Sequence, residues 1–252
     1  MGLPSGAKPE KQKMDSSSFG EIAVAIVCAV IVSYLCGSVP VGYLIGRMHG
    51  IDIRTQGSGN IGATNVTRVI GSRWGKLCFF LDFFKGFLPV VLFSILTPGA
   101  VLAFLPDSWF AGAVCLPDPW GLLPSLAAFA AVAGHIWPCW LGFRGGKGVS
   151  TAAGAAFALN PPAVLLAGAV WAGVFFASRY VSLASMLAAA SLPVWAILFR
   201  VWGLTRSSVP EIVLFVLLAI LTIVKHASNI RRLCNGTESR FTKKTASEEE
   251  KH

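Results

Sequence analysis

Residues 143–154, FRGGKGVSTAAG, set two cations, Arg144 and Lys147, around the paired glycines Gly145 and Gly146. Glycine lets backbone N–H groups approach an anion closely, and a helix that starts just after them adds partial positive charge at its N-terminus. The segment reads as a cradle for a phosphate or another oxyanion. A second polar stretch, GSGNIGATN at 57–65, carries Ser58 and Asn60 and is followed by Val66-Thr67-Arg68. Small polar side chains and free amides suit hydroxyls and phosphate oxygens, and Arg68 adds a planar cation able to bind in two places at once. In LDFFKG, Asp82 and Lys85 share one helix face by i,i+3 spacing. Ionisable groups inside an apolar run are costly unless paired or functional, so an internal ion pair propping the site is expected. His135, in GHIWP, suits either structural hydrogen bonding or catalysis. Ser182 and Ser185, in RYVSLAS, stand at a helix start, where serine commonly caps. His226 and Asn229 share a face near the end of the last apolar run, beside Arg231 and Arg232.

These groups must be positioned by apolar segments of near-membrane length. The chain has 252 residues, 54% of them hydrophobic and only 13% charged, against roughly 25% in an ordinary soluble domain. Helices are expected at about 22–48, 73–97, 121–138, 148–159, 162–178, 183–202 and 210–226. The predicted fold class is all-α: a polytopic integral membrane protein of about seven transmembrane helices. The fourth is short for a span, and Asn160-Pro161-Pro162 marks the turn after it. In GSVPVGYLIGR, Gly37, Pro40, Gly42 and Gly46 loosen the first span and predict a kink.

Orientation follows from the basic residues. Arg47, Arg54, Arg68, Arg73 and Lys76 fall in one loop, Arg144 and Lys147 in another, and Arg179 in a third. Lys225, Arg231, Arg232, Arg240, Lys243, Lys244 and Lys251 follow the last span, whereas 98–120 has no Lys or Arg. Seven spans put all these basic segments on one face, with the N-terminus outside and the C-terminus cytoplasmic. Arg200, Arg206 and the N-terminal lysines depart mildly from the rule. The net charge of +9 is thus mostly topology and attraction to anionic lipid, and it does not imply nucleic acid. Residues 1–20 are expected to be a disordered polar extension and not a signal peptide, 21–240 a single membrane-embedded domain, and 241–252 a polar tail. The six scattered cysteines contain no CxxC, and no metal site or cofactor is expected.

The motifs GSGNIGATNVTR, LDFFKG, GHIWP…GFRGGKGVSTA, RYVSLAS and the run from His226 to Arg240, taken in this order, resemble the bacterial acyl-phosphate:glycerol-3-phosphate acyltransferase family (PlsY type) from about Ile22 to Phe241. The resemblance implies a seven-helix enzyme of the cell inner membrane with its active site on the cytoplasmic face. Such an enzyme moves a fatty acyl group from acyl phosphate to the 1-hydroxyl of glycerol 3-phosphate, giving lysophosphatidic acid and phosphate. By motif, it implies that Ser58 and Arg68 line the site, that Lys147 holds phosphate, and that Ser185, His226 and Asn229 complete the glycerol phosphate pocket. Asn60, Gly145 and Gly146 are expected to bind substrate with them. Catalytic weight is expected on Ser58, Arg68, Lys147 and His226. The partners implied are the two small-molecule substrates and membrane lipids, with a monomer sufficient. One departure stands out: the family's last motif usually reads HREN, and here it is His226-Ala227-Ser228-Asn229.

The residues alone also admit a membrane transporter of an organic phosphate, although the glycine loops collect at one face and not at mid-membrane. No GxSxG elbow is present. Nor is there an HxxxxD pair, because Trp140 follows His135 by five and Arg231 follows His226 by five. Direct attack by a substrate hydroxyl on an activated acyl group is therefore expected, with His226 or a substrate phosphate taking the proton. The acyl chain is expected in a groove lined by small residues such as Ala152, Ala153, Gly154 and Ala155.

Overall fold

The computed structural model describes residues 16–97, 121–205 and 207–241. The loop at 98–120, Arg206, the first fifteen residues and the last eleven, on which several of these expectations fall, lie outside the described residues. Within them the chain forms ten α-helices and no strand: α1 Ser16–Ser38, α2 Val41–Met48, α3 Ala63–Val69, α4 Ser72–Ile95, α5 Leu123–Ile136, α6 Val149–Leu159, α7 Pro161–Ser178, α8 Val181–Val201, α9 Val209–Lys225 and α10 Ala227–Cys234. Residues 16–20, expected to be disordered, belong to the first turns of α1.

Four stretches are long and apolar enough to cross a membrane: Gly20–Met48, α4, α7 and α8. A fifth arises if α9 and α10, bent by 56° at His226, count as one broken span. The expected kink in the first span is a full break at Val39-Pro40, which separates α1 from α2. Proline lacks the N–H that would continue the ladder. The short α6 forms where expected, and Asn160 ends it by accepting from Ala163 N (3.1 Å), which starts α7. The final long helix ends at Lys225, close to the expected 226. The last motif turns away at His226 into the separate α10, which was not among the expected helices.

α1 packs on α5, α4 on α6, α7 on α8 and α8 on α9. Much of the shared core is alanine, from Ala25 and Ala29 through Ala127, Ala128, Ala155 and Ala156 to Ala196. Small residues let helices approach closely where lipid offers no hydrophobic drive between them. At the α4–α6 crossing, a side chain on Gly86 would strike the Thr151 carbonyl and one on Gly154 would strike the Phe83 carbonyl. Large apolar side chains such as Phe80, Leu165, Phe176 and Ile220 are left facing outward, as lipid contact requires. A second cluster, Val41, Ile45, Ile53, Ile61, Val66 and Cys78, lies beneath the 57–65 loop and anchors it.

Candidate active site

The expected polar motifs converge on one cleft of about 180 Å³. Its floor is α4 and the end of α5. Asp82 is 1% exposed and pairs with Lys85 Nζ at 2.8 Å. Lys85 Nζ also donates to the Val39 carbonyl at the α1–α2 break (2.7 Å), and His135 Nδ1 stands 3.5 Å from Asp82 Oδ1. The expected internal ion pair is present, and it ties the floor to the break in the first span.

One wall is the 57–65 loop. Asn65, on α3 and 1% exposed, holds it in shape: its Oδ1 accepts from Ser58 N (2.8 Å), and its Nδ2 donates to the carbonyls of Ile53 (3.2 Å) and Gln56 (3.1 Å). Asn60 Oδ1 accepts from Gly62 N at 2.8 Å. These bonds use the amides of Ser58 and Gly62, and Ser58, Asn60 and, one turn after Asn65, Arg68 line the cleft.

The opposite wall changes the expected cradle. Gly145 N donates to Ile136 O and Gly146 N to His135 O, both at 3.1 Å, and neither glycine lines the cleft. Their role is close approach: a side chain on Gly145 would strike the His135 carbonyl, and one on Gly146 would strike the His135 ring. The segment that lines the cleft is two residues further on, Lys147 to Ser150 at the N-terminus of α6. There the first-turn amides have no partner within the helix, and the dipole favours an anion.

Lys147 Nζ donates to Asn229 Oδ1 at 2.5 Å. Burial, with the nearby charges of Arg232 and Arg68 and against the pull of Glu238, lowers the Lys147 ammonium to about 8. His226 sits just past the end of α9. Its Nδ1 contacts the Thr222 carbonyl at 2.7 Å. A carbonyl only accepts, so Nδ1 carries the proton and Nε2 keeps its lone pair. Burial first, and the Lys147 charge second, push this imidazole down to about 4.

Ser182 and Ser185 do not cap α8, which begins earlier, at Val181. Ser182 Oγ donates to Glu238 Oε1 (2.7 Å), and Ser185 Oγ donates to Val181 O (2.8 Å) while accepting from Trp171 Nε1 (3.2 Å). Glu238 closes the cleft from the C-terminal segment. It also accepts from Asn229 Nδ2 (2.6 Å) and Arg232 Nε (2.7 Å). Burial would raise this carboxyl, but the three hydrogen bonds outweigh it and hold Glu238 below the usual carboxylate range. Phe241 N donates to Arg179 O (2.9 Å) and Arg240 Nε to Tyr180 OH (3.1 Å), pinning the segment to the α7–α8 turn. Asn65, Trp171 and Glu238 were not among the expected site residues. The only sequence signal for Glu238 was its place in GTESR, within the motif that begins at His226.

An apolar groove of about 340 Å³ adjoins the cleft, walled by α4 and α6–α9. Ala152 and Ala153 line it as expected. Gly154 and Ala155 do not, because they face the α4 crossing and the core. Cleft and groove share Phe79, Val149, Trp171 and Ser185.

The Glycerol-3-phosphate acyltransferase family model matches residues 27–236. The chain is 43% identical over 214 residues to the glycerol-3-phosphate acyltransferase of Aquifex aeolicus (strain VF5), covering 84% of this chain and 97% of that protein. It is 40% identical over 211 residues to that of Geobacter sulfurreducens (strain ATCC 51573 / DSM 12127 / PCA), covering 83% and 94%. It also superposes on a crystal structure of PlsY (YgiH), an integral membrane glycerol 3-phosphate acyltransferase, in its glycerol 3-phosphate form. The TM-score is 0.71 at 38% identity, over 86% of this chain and 96% of that one. The lysophosphatidic acid form gives 0.69 at 38% identity, over 86% and 95%. The transporter alternative finds no support among these relatives. By a family match over residues 27–236 and relatives of about 40% identity over most of its length, the chain belongs to the glycerol-3-phosphate acyltransferase family.

Proposed function

We propose that this protein transfers a fatty acyl group from acyl phosphate to the 1-hydroxyl of glycerol 3-phosphate, releasing lysophosphatidic acid and inorganic phosphate, the first step of phospholipid synthesis. The observation that carries the reading is the joining of a cationic polar cleft to an apolar groove through Phe79, Val149, Trp171 and Ser185. A phosphorylated polyol and a fatty chain can then meet at one carbonyl.

In this reading Lys147, Arg68 and the α6 N-terminus offset the charge of the phosphates. Ser58, Asn60, Ser185, His226 and Asn229 surround the glycerol backbone. The hydroxyl oxygen attacks the acyl carbon, the bond from that carbon to the phosphate oxygen breaks, and the hydroxyl proton leaves with a base. No residue is required to carry the acyl group, since phosphate is already a good leaving group. Two bases are at hand. His226 offers Nε2 but is held near 4 by burial and the Lys147 charge. A phosphate dianion on the substrate, with a second pKa of about 6 in water, is the other acceptor.

The topology proposed is seven spans, formed by α1–α2, α4, α5, α6, α7, α8 and α9, with α3 and α10 on the cytoplasmic surface of the inner membrane and the N-terminus outside. The protein works as a monomer within the bilayer lipids.

The test is purified protein in detergent with synthetic acyl phosphate and labelled glycerol 3-phosphate. Stoichiometric lysophosphatidic acid and phosphate are expected, and turnover with acyl-CoA alone would contradict the donor assignment. Impermeant thiol labelling of Asp107→Cys in a cysteine-free background should succeed only from outside the cell.

A further inference from the structure

A hydroxyl has one proton to give and two lone pairs to offer. At Ser185 the proton is committed to the Val181 carbonyl (2.8 Å), and one lone pair accepts from the Trp171 indole (3.2 Å). One lone pair remains. Ser182, one turn earlier on the same helix, has also given its proton away, to Glu238 (2.7 Å). The α8 wall of the cleft thus presents acceptors. The α6 wall presents protons, from the Lys147 ammonium and from helix amides without partners.

We propose that Trp171 is a positioning residue for the acceptor substrate: with the Ser185 proton held by Val181, the indole N–H takes one of the two lone pairs of Oγ and leaves a single accepting direction, which fixes which end of a hydroxy-phosphate enters the junction of cleft and groove. A phosphate dianion has no proton to donate and is turned away by lone pairs, whereas an alcohol donates to them. Glycerol 3-phosphate is thereby oriented with its phosphate toward Lys147 and its free hydroxyl toward Ser185. Ser185 is one of the residues shared with the acyl groove, so the attacking oxygen is delivered where the acyl carbonyl must lie. The indole is itself well braced, stacked on Phe175 at a centroid distance of 4.9 Å and an interplanar angle of 17°. The stack involves the ring face and leaves the N–H edge to Ser185. This inference rests on the acyltransferase reading of the cleft.

The test separates the N–H from the ring. Trp171→Phe removes the donor and keeps an aromatic partner for Phe175. Incorporation of the benzothiophene analogue of tryptophan at position 171, with sulfur in place of N–H, removes the donor at nearly constant shape and serves if the phenylalanine variant unfolds. Either change should lower kcat/KM for glycerol 3-phosphate about tenfold, the worth of one hydrogen bond in an excluded site. The KM for acyl phosphate should not move. By calorimetry in detergent, glycerol 3-phosphate should bind more weakly while inorganic phosphate, which needs only the Lys147 end, binds as before. On a Ser185→Ala background the Trp171 changes should add nothing. Equal losses for both substrates, additive losses in the double variant, or no loss at all would each overturn the proposal. A wild-type protein without turnover in the same assay would instead sink the acyltransferase reading, and this inference with it.

Discussion

Lys147 and Asn229 meet across the cleft, Nζ to Oδ1 at 2.5 Å, and this contact joins the N-terminal loop of α6 to α10. It sets the Lys147 ammonium against an amide whose other side is held by Glu238. The cleft is therefore assembled from a chain of side chains, Lys147 to Asn229 to Glu238 to Ser182, and perturbing one link moves the next.

Lys147→Ala should cut turnover by about 10²- to 10³-fold, the usual loss when one preorganised donor is removed. The protein should still insert and purify, because Lys147 lies in a loop and caps no buried charge in the core. Retention of more than a tenth of wild-type turnover at saturating substrates would show that the phosphates are neutralised elsewhere.

The lowered value of about 8 for Lys147 predicts a basic limb in the rate profile. The kcat/KM for glycerol 3-phosphate follows the free enzyme, so it should fall as pH rises through about 8 and the ammonium loses its charge. Lys147→Arg should move that limb to higher pH. Stability runs the other way. The fold disfavours the charged form relative to the unfolded chain at 10.5, so this residue makes the substrate-free protein more stable between about 8 and 10.5 than below. Thermal melts and initial rates across that interval check both signs.

Asn229→Ala removes the acceptor of Lys147 and one donor to Glu238. Leaving a buried polar group unpaired costs about 1–3 kcal/mol, or roughly a five- to 150-fold loss in catalytic efficiency. The loss should fall on glycerol 3-phosphate more than on acyl phosphate. Equal, small effects on both would make α10 a scaffold only.

Ala189 lines the apolar groove. Ala189→Phe should raise the KM for long-chain acyl phosphates and leave a two- or four-carbon acyl phosphate, of a length that need not enter the groove, much as in wild type. A matching loss for short and long donors would place the acyl chain outside this groove.

Six of the seven expected apolar helices appear within about two residues at each end, α6 included, because long apolar runs bounded by glycine, proline and charge leave few alternatives, while the first, 22–48, is split into α1 and α2. α3 and α10 were not legible. Each is a short helix, and the sequence ATNVTRV or ASNIRRLC differs little from that of a polar loop. The polar motifs did identify the cleft, but not which amides would be free in it. Gly145 and Gly146 looked like the anion cradle, yet their N–H groups are spent on the end of α5. That outcome depends on where His135 and Ile136 lie, which no local pattern encodes. Asn65 was read as part of a polar loop, and its use as the internal brace of Ser58 depends on the fold of that loop. Trp171, within an apolar run, resembled any core or lipid-facing aromatic until the position of Ser185 was known.

The pinning of Glu238 and Phe241 to α8 and the α7–α8 turn has a consequence for biosynthesis. A membrane protein leaves the ribosome from its N-terminus onward, and this cleft draws its last wall from residues beyond every hydrophobic segment. A nascent chain can thread all its helices into the bilayer and still hold an open, unbraced Lys147 and Asn229. In the reading proposed above, the cleft would thus take its working shape only once residues 238–241 have emerged and docked, and chains cut before Glu238 are expected to be inactive.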